Sequence, residues 1–444
     1  DISANATGTT SADATGAWVE GLNGATVENS GQILAGAYGA GAAATGLRMG
    51  DTGENVLTND GTIGAFGDGT RIAIWSGADA TAGIANNGTL VGAIVTGDLG
   101  DSLDNAAGGT WQAVGTSDFG AGDDAIANHG TIFMDNATIR MGDVAEAQSL
   151  AAAAGNLFDN TGSLVVSGDG NLVDMGAGNP SAFENSGVIS FVDGAADDVL
   201  TVAGDLAGEG AIDLDASGLH GTSDLLHVDG DVADASMQTL NVNLVDLPTG
   251  PDATDIALVT VDGSSAAADF ALGDVAHAPS FLAWDFRLDS HIDVSGARDV
   301  FSLGIDATGL SDAGVLAANA ASGAAGMLDA QIGTFRQRMG VNPYGDEGKV
   351  LSAFFRTWDR DGDVNPTHVA GNFGQGGDFA YHQNASGNEV GINANVFGNV
   401  HAGLVFGHAD GRQRLSAGAG SNRMDGMAWG WYATWFAPRG FYVD

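Results

Sequence analysis

The chain has 444 residues, with 71 Gly, 7 Pro and no Cys, and its formal net charge is −42. The absence of Cys excludes disulfides, thiolate nucleophiles and Cys-based metal sites. The charge is uneven, because residues 1–335 carry −41 and residues 336–444 carry −1. So acidic a surface repels phosphates, which excludes nucleic acid as a partner of the long segment. It leaves weak binding of divalent cations or basic partners open.

Seven copies of one short phrase occupy the first 190 residues. Each copy has an apolar residue, then Asn two positions later, and six copies continue with Gly and another apolar residue at the same spacing. The copy around Asn105 continues instead with an irregular AAGGTW. The Asn positions are Asn29, Asn59, Asn86, Asn105, Asn128, Asn160 and Asn185. They lie about 19–32 residues apart, which is typical of solenoid repeats that stack to bury a core.

We interpret this Asn phrase as a turn between two short strands. A single straight strand would place Asn and Gly on the same face as the apolar residues. Asn and Gly tolerate the left-handed conformations of a tight corner, and an Asn side chain can bond backbone groups left unpaired there. The pattern therefore predicts a parallel β-helix with a ladder of stacked Asn. Independent hairpins are the alternative, although two-residue hairpin turns favour adjacent Asn-Gly.

The Asn phrase stops after residue 190, while alternating apolar strands continue with longer turns. We interpret residues 191–308 as a β-rich cap that shields the last coil. Larger side chains suit that closing role, namely Trp284, Phe286, Leu288, Val300, Leu303 and Ile305. Residues 309–345 differ again, because an Ala-rich stretch from about Ser311 to Gly340 carries helix start and stop signals. Its small side chains predict a slim helix that threads a narrow lumen.

From residue 346 the pattern changes to long strands with a period of two. In the segment VGINANV, Val390 and Ile392 share one side, and Gly391 and Asn393 share the other. In MAWGWYATWF, the residues predicted on one face are Met427, Trp429, Trp431, Ala433 and Trp435. Apolar residues facing outward, with small or polar residues facing inward, are typical of transmembrane β-barrels. A soluble antiparallel sheet rarely exposes three Trp or buries Asn.

These parts, in this order, resemble the classical autotransporter (type V secretion) family of Gram-negative outer membranes. The closest likeness lies in FFRTWDRDGDV, GNEVGINANV, HAGLVFGHADG and WGWYATWFAPRGFYVD, which are similar to the first strands of that family's translocator. The resemblance implies an all-β fold. A right-handed parallel β-helix passenger would occupy residues 1–190, an autochaperone-like cap 191–308, a pore helix 309–345, and the first barrel strands 346–444.

The resemblance also implies partners and a location. The barrel would contact outer-membrane lipid and be assembled by the barrel-assembly machinery and periplasmic chaperones. The passenger would stand on the cell surface as a structural or adhesive stalk, with a host or neighbouring cell as the source of any ligand. The family's barrel has about twelve strands, whereas this sequence ends at Asp444 and begins at Asp1 without Met. We therefore expect it to be a fragment.

Several motifs resemble functional sites. Gly100-Asp101-Ser102-Leu103 matches the GDSL esterase signature, and Asp224 with His227 would complete a Ser, His and Asp arrangement. However, Leu103 and Asn105 belong to the Asn phrase, so we expect Ser102 to be a turn residue. Asp197/Asp198 and Asp213/Asp215 are acid pairs of the kind that cleave glycans, yet with 56 acids such pairs arise by chance.

Two further motifs resemble calcium sites. Residues 120–126 resemble half of a G-x-G-x-D calcium repeat without the tandem spacing. Residues 359–363 begin like an EF-hand but lack its Gly and its final Glu. We interpret the first as a solvated turn and the second as an extracellular hairpin loop.

We therefore predict no catalytic, cofactor-binding or metal-binding residues and no enzymatic activity in this chain. Two alternatives stay open: an enzymatic module (esterase, protease or glycan-cleaving) in a missing N-terminal part, and a soluble secreted β-helix with an ordinary C-terminal sheet.

Overall fold

The computed structural model describes residues 1–9, 11–142, 155–176, 181–250, 254–293, 296, 298–333, 337, 351–365, 379–416, 420–437 and 441–444. Contacts divide the chain into two compact units. Unit 1 comprises Asp1–Ala278 with Phe286–Asp306, and unit 2 comprises Pro279–Asp285 with Ala307–Asp444.

Unit 1 is a parallel β-helix in which three sheets run along the stack. Coils up to residue 207 contribute a strand to each sheet, and later coils contribute their described strands to the first two sheets alone. Sheet 1 contains β1 (Ile2–Thr7), β4 (Gln32–Tyr38), β7 (Thr62–Gly67), β10 (Thr89–Val91), β13 (Thr110–Ala113), β16 (Thr131–Asp135), β19 (Ser163–Ser167), β22 (Val188–Ser190), β25 (Ala211–Ser217) with β26 (Thr222–Ser223) beside it, β28 (Gln238–Asp246) and β30 (Phe270–His277).

Sheet 2 contains β2 (Ala12–Trp18), β5 (Ala42–Arg48), β8 (Thr70–Trp75), β11 (Ala93–Val95), β14 (Thr116–Asp118), β17 (Thr138–Arg140), β20 (Asn171–Asp174), β23 (Val199–Ala203), β27 (Leu225–Val228), β29 (Thr254–Val261), β32 (Asp299–Leu310) and β31 (Leu282–Ile292). Sheet 3 contains β3 (Thr26–Asn29), β6 (Thr52–Asn59), β9 (Asp79–Asn86), β12 (Ser102–Asn105), β15 (Ala125–Asn128), β18 (Leu157–Asn160), β21 (Ala182–Asn185) and β24 (Asp205–Ala207).

The Asn phrase forms the corner between sheet 3 and sheet 1, as predicted. Each Asn is the last residue of a sheet 3 strand, and the following sheet 1 strand begins within a few residues. The apolar residues on either side of the corner stack in register along the core. Phe158 pairs with Phe183 in register, for example, and their ring centroids lie 4.8 Å apart. The prediction of a parallel β-helix is confirmed.

The expectation of left-handed backbone is wrong for the six regular corners, whereas the irregular corner after Asn105 does contain Gly108 with φ 98°. Among the described residues, Asn136 is the one non-Gly residue with positive φ, and the corner Gly residues of the Asn phrase do not have positive φ. The reason for Gly is close approach between coils instead. A Cβ on Gly162 would lie 2.2 Å from the carbonyl oxygen of Gly130, and one on Gly187 would lie 2.2 Å from that of Gly162. Any side chain would therefore push neighbouring coils apart.

The irregular copy keeps the stack through a longer corner. Trp111 takes the core position that Leu90 and Ile132 hold in the adjacent coils. It is fully buried, and its indole N–H donates to the carbonyl oxygen of Gly92 at 2.9 Å. The two extra residues of AAGGTW are absorbed by the turn, so the apolar column continues unbroken.

Parallel stacking does not stop at residue 190. The strands β23, β25, β27, β28 and β30 continue sheets 1 and 2 with parallel pairing, while β32 adds to β29 in the antiparallel sense. Val300, Leu303 and Ile305 are buried there as predicted, whereas Trp284, Phe286 and Leu288 are only half-buried. The coils therefore continue across residue 190. The division there into a passenger and a cap stays a prediction about the roles of the two segments.

Unit 2 contains helix α1 (Asp312–Ile332) and an antiparallel sheet of β33 (Leu351–Val364), β34 (Tyr381–Phe397), β35 (Val400–Leu415), β36 (Ser421–Phe436) and β37 (Tyr442–Val443). Ser311 caps the helix, since its hydroxyl accepts from the Gly314 N–H at 3.1 Å. In the described part of the chain no helix has the length and apolar character needed to span a bilayer.

Two details of unit 2 concern sequence-based predictions, of which one falls outside the described residues and the other is contradicted. The helix ends at Gly333, which has φ 57°. Residues 334–336 and 338–350, which include the predicted end at Gly340 and the 345/346 boundary, lie outside the described residues. Asp359 to Asp363 is not a hairpin loop, because it pairs with β34 as part of β33. The alternation of Asp with Arg360 and Gly362 continues the strand period, and this signal outweighs the apparent calcium-loop composition.

Candidate functional site

The sheet of unit 2 is inverted relative to a soluble protein. Its outward face exposes large apolar side chains, with Trp429 81% and Trp431 76% exposed. Its other face buries polar ones, and Gln413 and Thr434 are 0% exposed. The predicted parity is therefore confirmed. Burying amides while exposing Trp costs free energy in water, so this surface suits an apolar surrounding medium.

The exposed apolar residues form a band across neighbouring strands. Leu404 lies opposite Trp431, and Phe406 lies opposite Trp429, so the apolar side chains of β35 and β36 are side by side. Farther along the same strands the outward residues turn polar, where Asp410 lies opposite Asp425. On β36 the band runs from Met427 to Trp435, which matches the roughly 9–11 residues that cross a bilayer core in a tilted strand.

The buried face of the sheet binds the backbone of α1. The side-chain amide of Gln383 donates to the carbonyl oxygen of Gly323 at 2.9 Å, and that of Gln413 donates to the carbonyl of Asn319 at 3.0 Å. Asn422 donates to the carbonyl of Leu316 at 2.9 Å. The three acceptors, Leu316, Asn319 and Gly323, are spaced at three and four residues, so they form one stripe of the helix. At Gly323 the absence of a side chain leaves room for the amide of Gln413, which a Cβ would approach to 2.3 Å.

Packing on the same side of the helix is close. Met327 contacts Ala385 and Ala409 in a buried cluster, and the Ser322 hydroxyl lies 2.7 Å from the Tyr381 hydroxyl. The helix contacts all four long strands of the sheet. The helix thus packs one face against the strands, and the sequence did not identify which residues would hold it.

Arg356 anchors the C-terminal end of α1. Its guanidinium donates to the carbonyl oxygens of Ala330 at 2.8 Å and Gln331 at 2.5 Å, where the helix dipole favours a positive charge. The same group lies 3.0 Å from a carboxylate oxygen of Glu389, which is 2% exposed. A buried carboxylate needs such a partner, so the ion pair and the helix end depend on each other.

The corner of unit 1 carries the predicted ladder of Asn side chains. Each side-chain amide donates to the side-chain oxygen of the next Asn toward the C-terminus, at 2.7–2.8 Å. Asn29 is 7% exposed and the other six are 0% exposed. Most also donate to a backbone carbonyl of the next coil, as Asn128 does to Ser163 at 3.1 Å. The ladder satisfies buried amides without water.

Gln238 ends this ladder, which the sequence did not predict. The coil after Asn185 has Gly208 at the corner, and the longer side chain of Gln238 reaches past it. Its oxygen accepts from the Asn185 amide at 2.8 Å, and its own amide donates to the carbonyls of Asn185 and Gly208 at 3.1 and 2.8 Å. A Gln at the start of a strand, 53 residues beyond Asn185, carries no repeat signal.

A second polar column lies at the corner between sheets 2 and 3. Here a side-chain oxygen accepts the backbone N–H of the coil before it, as Asn156 does for Asp124 and Asp124 does for Asp101, both at 2.8 Å. Asp101 accepts in turn from the Ala82 N–H. Burial raises the pKa of Asp101 to about 6, and donors around it, including Thr96, oppose the shift.

A third column lies at the corner between sheets 1 and 2. Asp224 accepts from the backbone N–H groups of Asp198 and Asp215 at 3.0 and 2.6 Å. Burial and the nearby carboxylates raise the pKa of Asp224 to about 7. Asp215 in turn accepts from the N–H groups of Asp193 and Gly194. Its carboxylate therefore provides hydrogen-bond acceptors for backbone N–H groups inside the stack.

The esterase-like residues are not brought together. Ser102 opens β12 in sheet 3, where it pairs with Gly83 and Ala125. His227 lies in β27 of sheet 2 and pairs with Thr201. Asp224 is buried, whereas His227 faces outward. The two residues are an odd number of positions apart, and such residues point to opposite faces of an extended segment. In the calcium-like segment, Asp124 is buried in the second column, which is a different role from the predicted solvated turn.

Comparisons with known proteins bear on unit 2 most directly. Residues 367–444 match the family model described as "Autotransporter beta-domain". Among solved structures, the Haemophilus influenzae Hap adhesin is similar at 13% identity, over 62% of this chain and 33% of that one, with a TM-score of 0.20. The chain thus spans about a third of that protein. No curated protein matches the sequence.

Proposed function

We propose that this chain, whose residues 367–444 belong to the autotransporter β-domain family, is part of a protein that exports its own solenoid across the outer membrane of a Gram-negative bacterium and keeps it at the cell surface. The observation that carries the proposal is the inverted sheet of unit 2, with Trp429 and Trp431 exposed and Gln413 buried against α1.

The role of each part follows from its chemistry. The apolar band meets lipid, while the polar face offers side-chain donors to a polypeptide segment inside. Gln383, Gln413 and Arg356 hold a helix by its carbonyl oxygens, and such contacts are independent of side-chain identity. Folding of the solenoid outside would bias the chain outward. Each coil that stacks buries apolar area, and backward movement into the pore would require that coil to unfold and expose the area again.

The exported solenoid is proposed to be a structural or adhesive stalk without enzymatic activity. The buried Asn128, Asp124 and Asp224 are used in coil-to-coil hydrogen bonds, and Ser102 and His227 of the esterase-like motif lie in different sheets. We expect Ser102→Ala to leave any hydrolysis of short-chain esters by the purified protein unchanged. Loss of hydrolysis in that variant would support the alternative of an enzymatic passenger.

The export proposal can be tested with Arg356→Met in the full-length protein on cells. Removal of the guanidinium takes one cation away from the buried Glu389 and frees two helix carbonyls, so less solenoid should become accessible to added protease in intact cells. Arg412→Met is the matched control, since Arg412 lies on the outward face and contacts Ser421 at an exposed position. Equal surface display of both variants and the parent would count against the proposal.

A further inference from the structure

We propose that His227, Asp229 and Asp262 form a binding site for a divalent transition-metal ion, best matched by Zn²⁺, on the outer face of the solenoid. One ligand atom from each residue lies within 4.8 Å of the other two. These residues were not grouped by sequence, because Asp262 is distant from the other two along the chain. The site concerns unit 1 alone and does not depend on the export proposal.

The fold explains why the three side chains converge. His227 and Asp229 are two positions apart at the end of β27, so they point to the same face. β27 and β29 pair with Val228 opposite Val261. The next residues, Asp229 and Asp262, therefore lie side by side on backbone segments about 4.8 Å apart. Three donors from two adjacent strands therefore meet on one face.

The imidazole is oriented toward the carboxylates. Its Nε2 lies 2.8 Å from Asp229 Oδ1 and 3.9 Å from Asp262 Oδ2. On the other side Nδ1 lies 2.8 Å from the Thr260 hydroxyl. When Nδ1 carries the proton and donates to Thr260, the lone pair of Nε2 is directed at the space between the carboxylates. Such a second partner on the distal nitrogen is usual for metal-binding His.

The donor set selects among metals. One imidazole nitrogen and two carboxylate oxygens suit Zn²⁺, with water completing a tetrahedron. Ca²⁺ prefers six to eight oxygen ligands, so it fits poorly. Arg298 bonds Asp262 Oδ1 at 2.8 Å and leaves Oδ2 for the ion. With neutral His227, the two carboxylates and Arg298 sum to −1, which attracts a dication within a strongly acidic unit.

Four other described His residues have an acidic neighbour, and two of them show how this geometry can be lacking. His382 contacts Asp361 through Nε2 and Asp363 through Nδ1, so its carboxylates lie at opposite ring nitrogens and cannot share one ion. Among the described carboxylates, that of Asp246 lies within ion-pair distance of His220, at 3.8 Å. Both serve as matched controls. At the proposed site the ion would join β27 to β29, the last parallel pair of sheet 2, and stabilise the end of the stack.

The test is calorimetric titration of ZnCl₂ into the full chain in detergent after removal of metal with EDTA. We expect one saturable site, and His227→Gln and Asp229→Asn should each weaken it by about tenfold or more. His220→Gln and His382→Gln should bind like the parent. Asp229 is half exposed, so Asp229→Asn should keep the fold, which circular dichroism in EDTA checks.

Hydrogen exchange locates the ion independently. Zn²⁺ should slow exchange of the amides of β27 and β29 in the parent and not in Asp229→Asn. Absence of saturable binding at micromolar to millimolar Zn²⁺, or equal affinity of the parent and His227→Gln, would overturn the assignment. Slowed exchange confined to other strands would overturn it as well.

Discussion

The Asn ladder offers the sharpest test of what holds the solenoid together. Asn128 accepts from the Asn105 amide at 2.8 Å and donates to Asn160 Oδ1 at 2.7 Å and to the Ser163 carbonyl at 3.1 Å. It is 0% exposed. Asn128→Ala removes all three bonds at once.

The magnitude follows from these partners. Asn160 Oδ1 loses its donor from the preceding coil, while the Asn105 amide keeps contacts with two backbone carbonyls at 3.3 Å. An unsatisfied buried group costs about 1–3 kcal/mol, so we expect Asn128→Ala to lower the free energy of unfolding of the solenoid by about 1–3 kcal/mol. Asn128→Leu should cost a similar amount, since it adds an apolar group where two amides meet.

The assay is urea denaturation of the full chain in detergent, followed by far-ultraviolet circular dichroism, with hydrogen exchange of β12, β15 and β18 as the local readout. Asn87→Ala is the control, because Asn87 is exposed and bonds Asp60 at the surface. Its cost should stay below about 0.5 kcal/mol. If both variants unfold at the same urea concentration, the ladder does not stabilise the stack.

Three further predictions follow from other features. Gly162→Ala should destabilise the solenoid by about 1–3 kcal/mol, since a Cβ would lie 2.2 Å from the Gly130 carbonyl oxygen, whereas Gly250→Ala, with open space around it, should not change the urea midpoint. The raised pKa of Asp101, about 6, means that the folded state holds a proton that the unfolded state releases near pH 4. The free energy of unfolding should therefore decrease as the pH rises from about 4 to about 6. In urea titrations Asp101→Asn should make this decrease smaller, whereas Asp104→Asn should leave it unchanged. In the full-length protein, Trp431→Arg on the outward face should lower barrel stability by about 2–4 kcal/mol and reduce the heat-modifiable band in gels, more than Tyr432→Arg on the inner face does; the reverse order would refute the face assignment.

Regular features were predictable because they repeat. The corner Asn residues share one spacing pattern and one environment, so the ladder could be inferred from letters alone. The same holds for β34 to β36, where a period of two separates Val390 and Ile392 from Gly391 and Asn393. In both places each residue's neighbours are determined by periodicity, and periodicity is visible in sequence.

The remaining features depend on contacts that periodicity does not encode. Asp101, Asp124 and Asn156 form a column. Asp is so common in this sequence that the residue type alone does not indicate which Asp side chains are buried. Gln383 meets the carbonyl of Gly323 across 60 residues, and nothing local to either position indicates that contact. The Gly residues of the Asn phrase were predicted for the wrong reason, since a sequence shows Gly without distinguishing positive φ from close approach.

The ladder also has a direction. Every Asn amide donates toward the C-terminus, and the last acceptor is the Gln238 oxygen. The Gln238 amide donates to the backbone carbonyls of Asn185 and Gly208 in the coils before it, so that acceptor is oriented without help from any coil before Asn185. A coil that stacks on this end meets the Gln238 oxygen as an acceptor that is already oriented. A coil that stacks at Asn29 must order both the donor and the acceptor of the new hydrogen bond. Nucleating a stack costs entropy before contacts repay it. Growth from Gln238 toward the N-terminus therefore meets the lower barrier, and Gln238→Ala should slow refolding more than Asn29→Ala does.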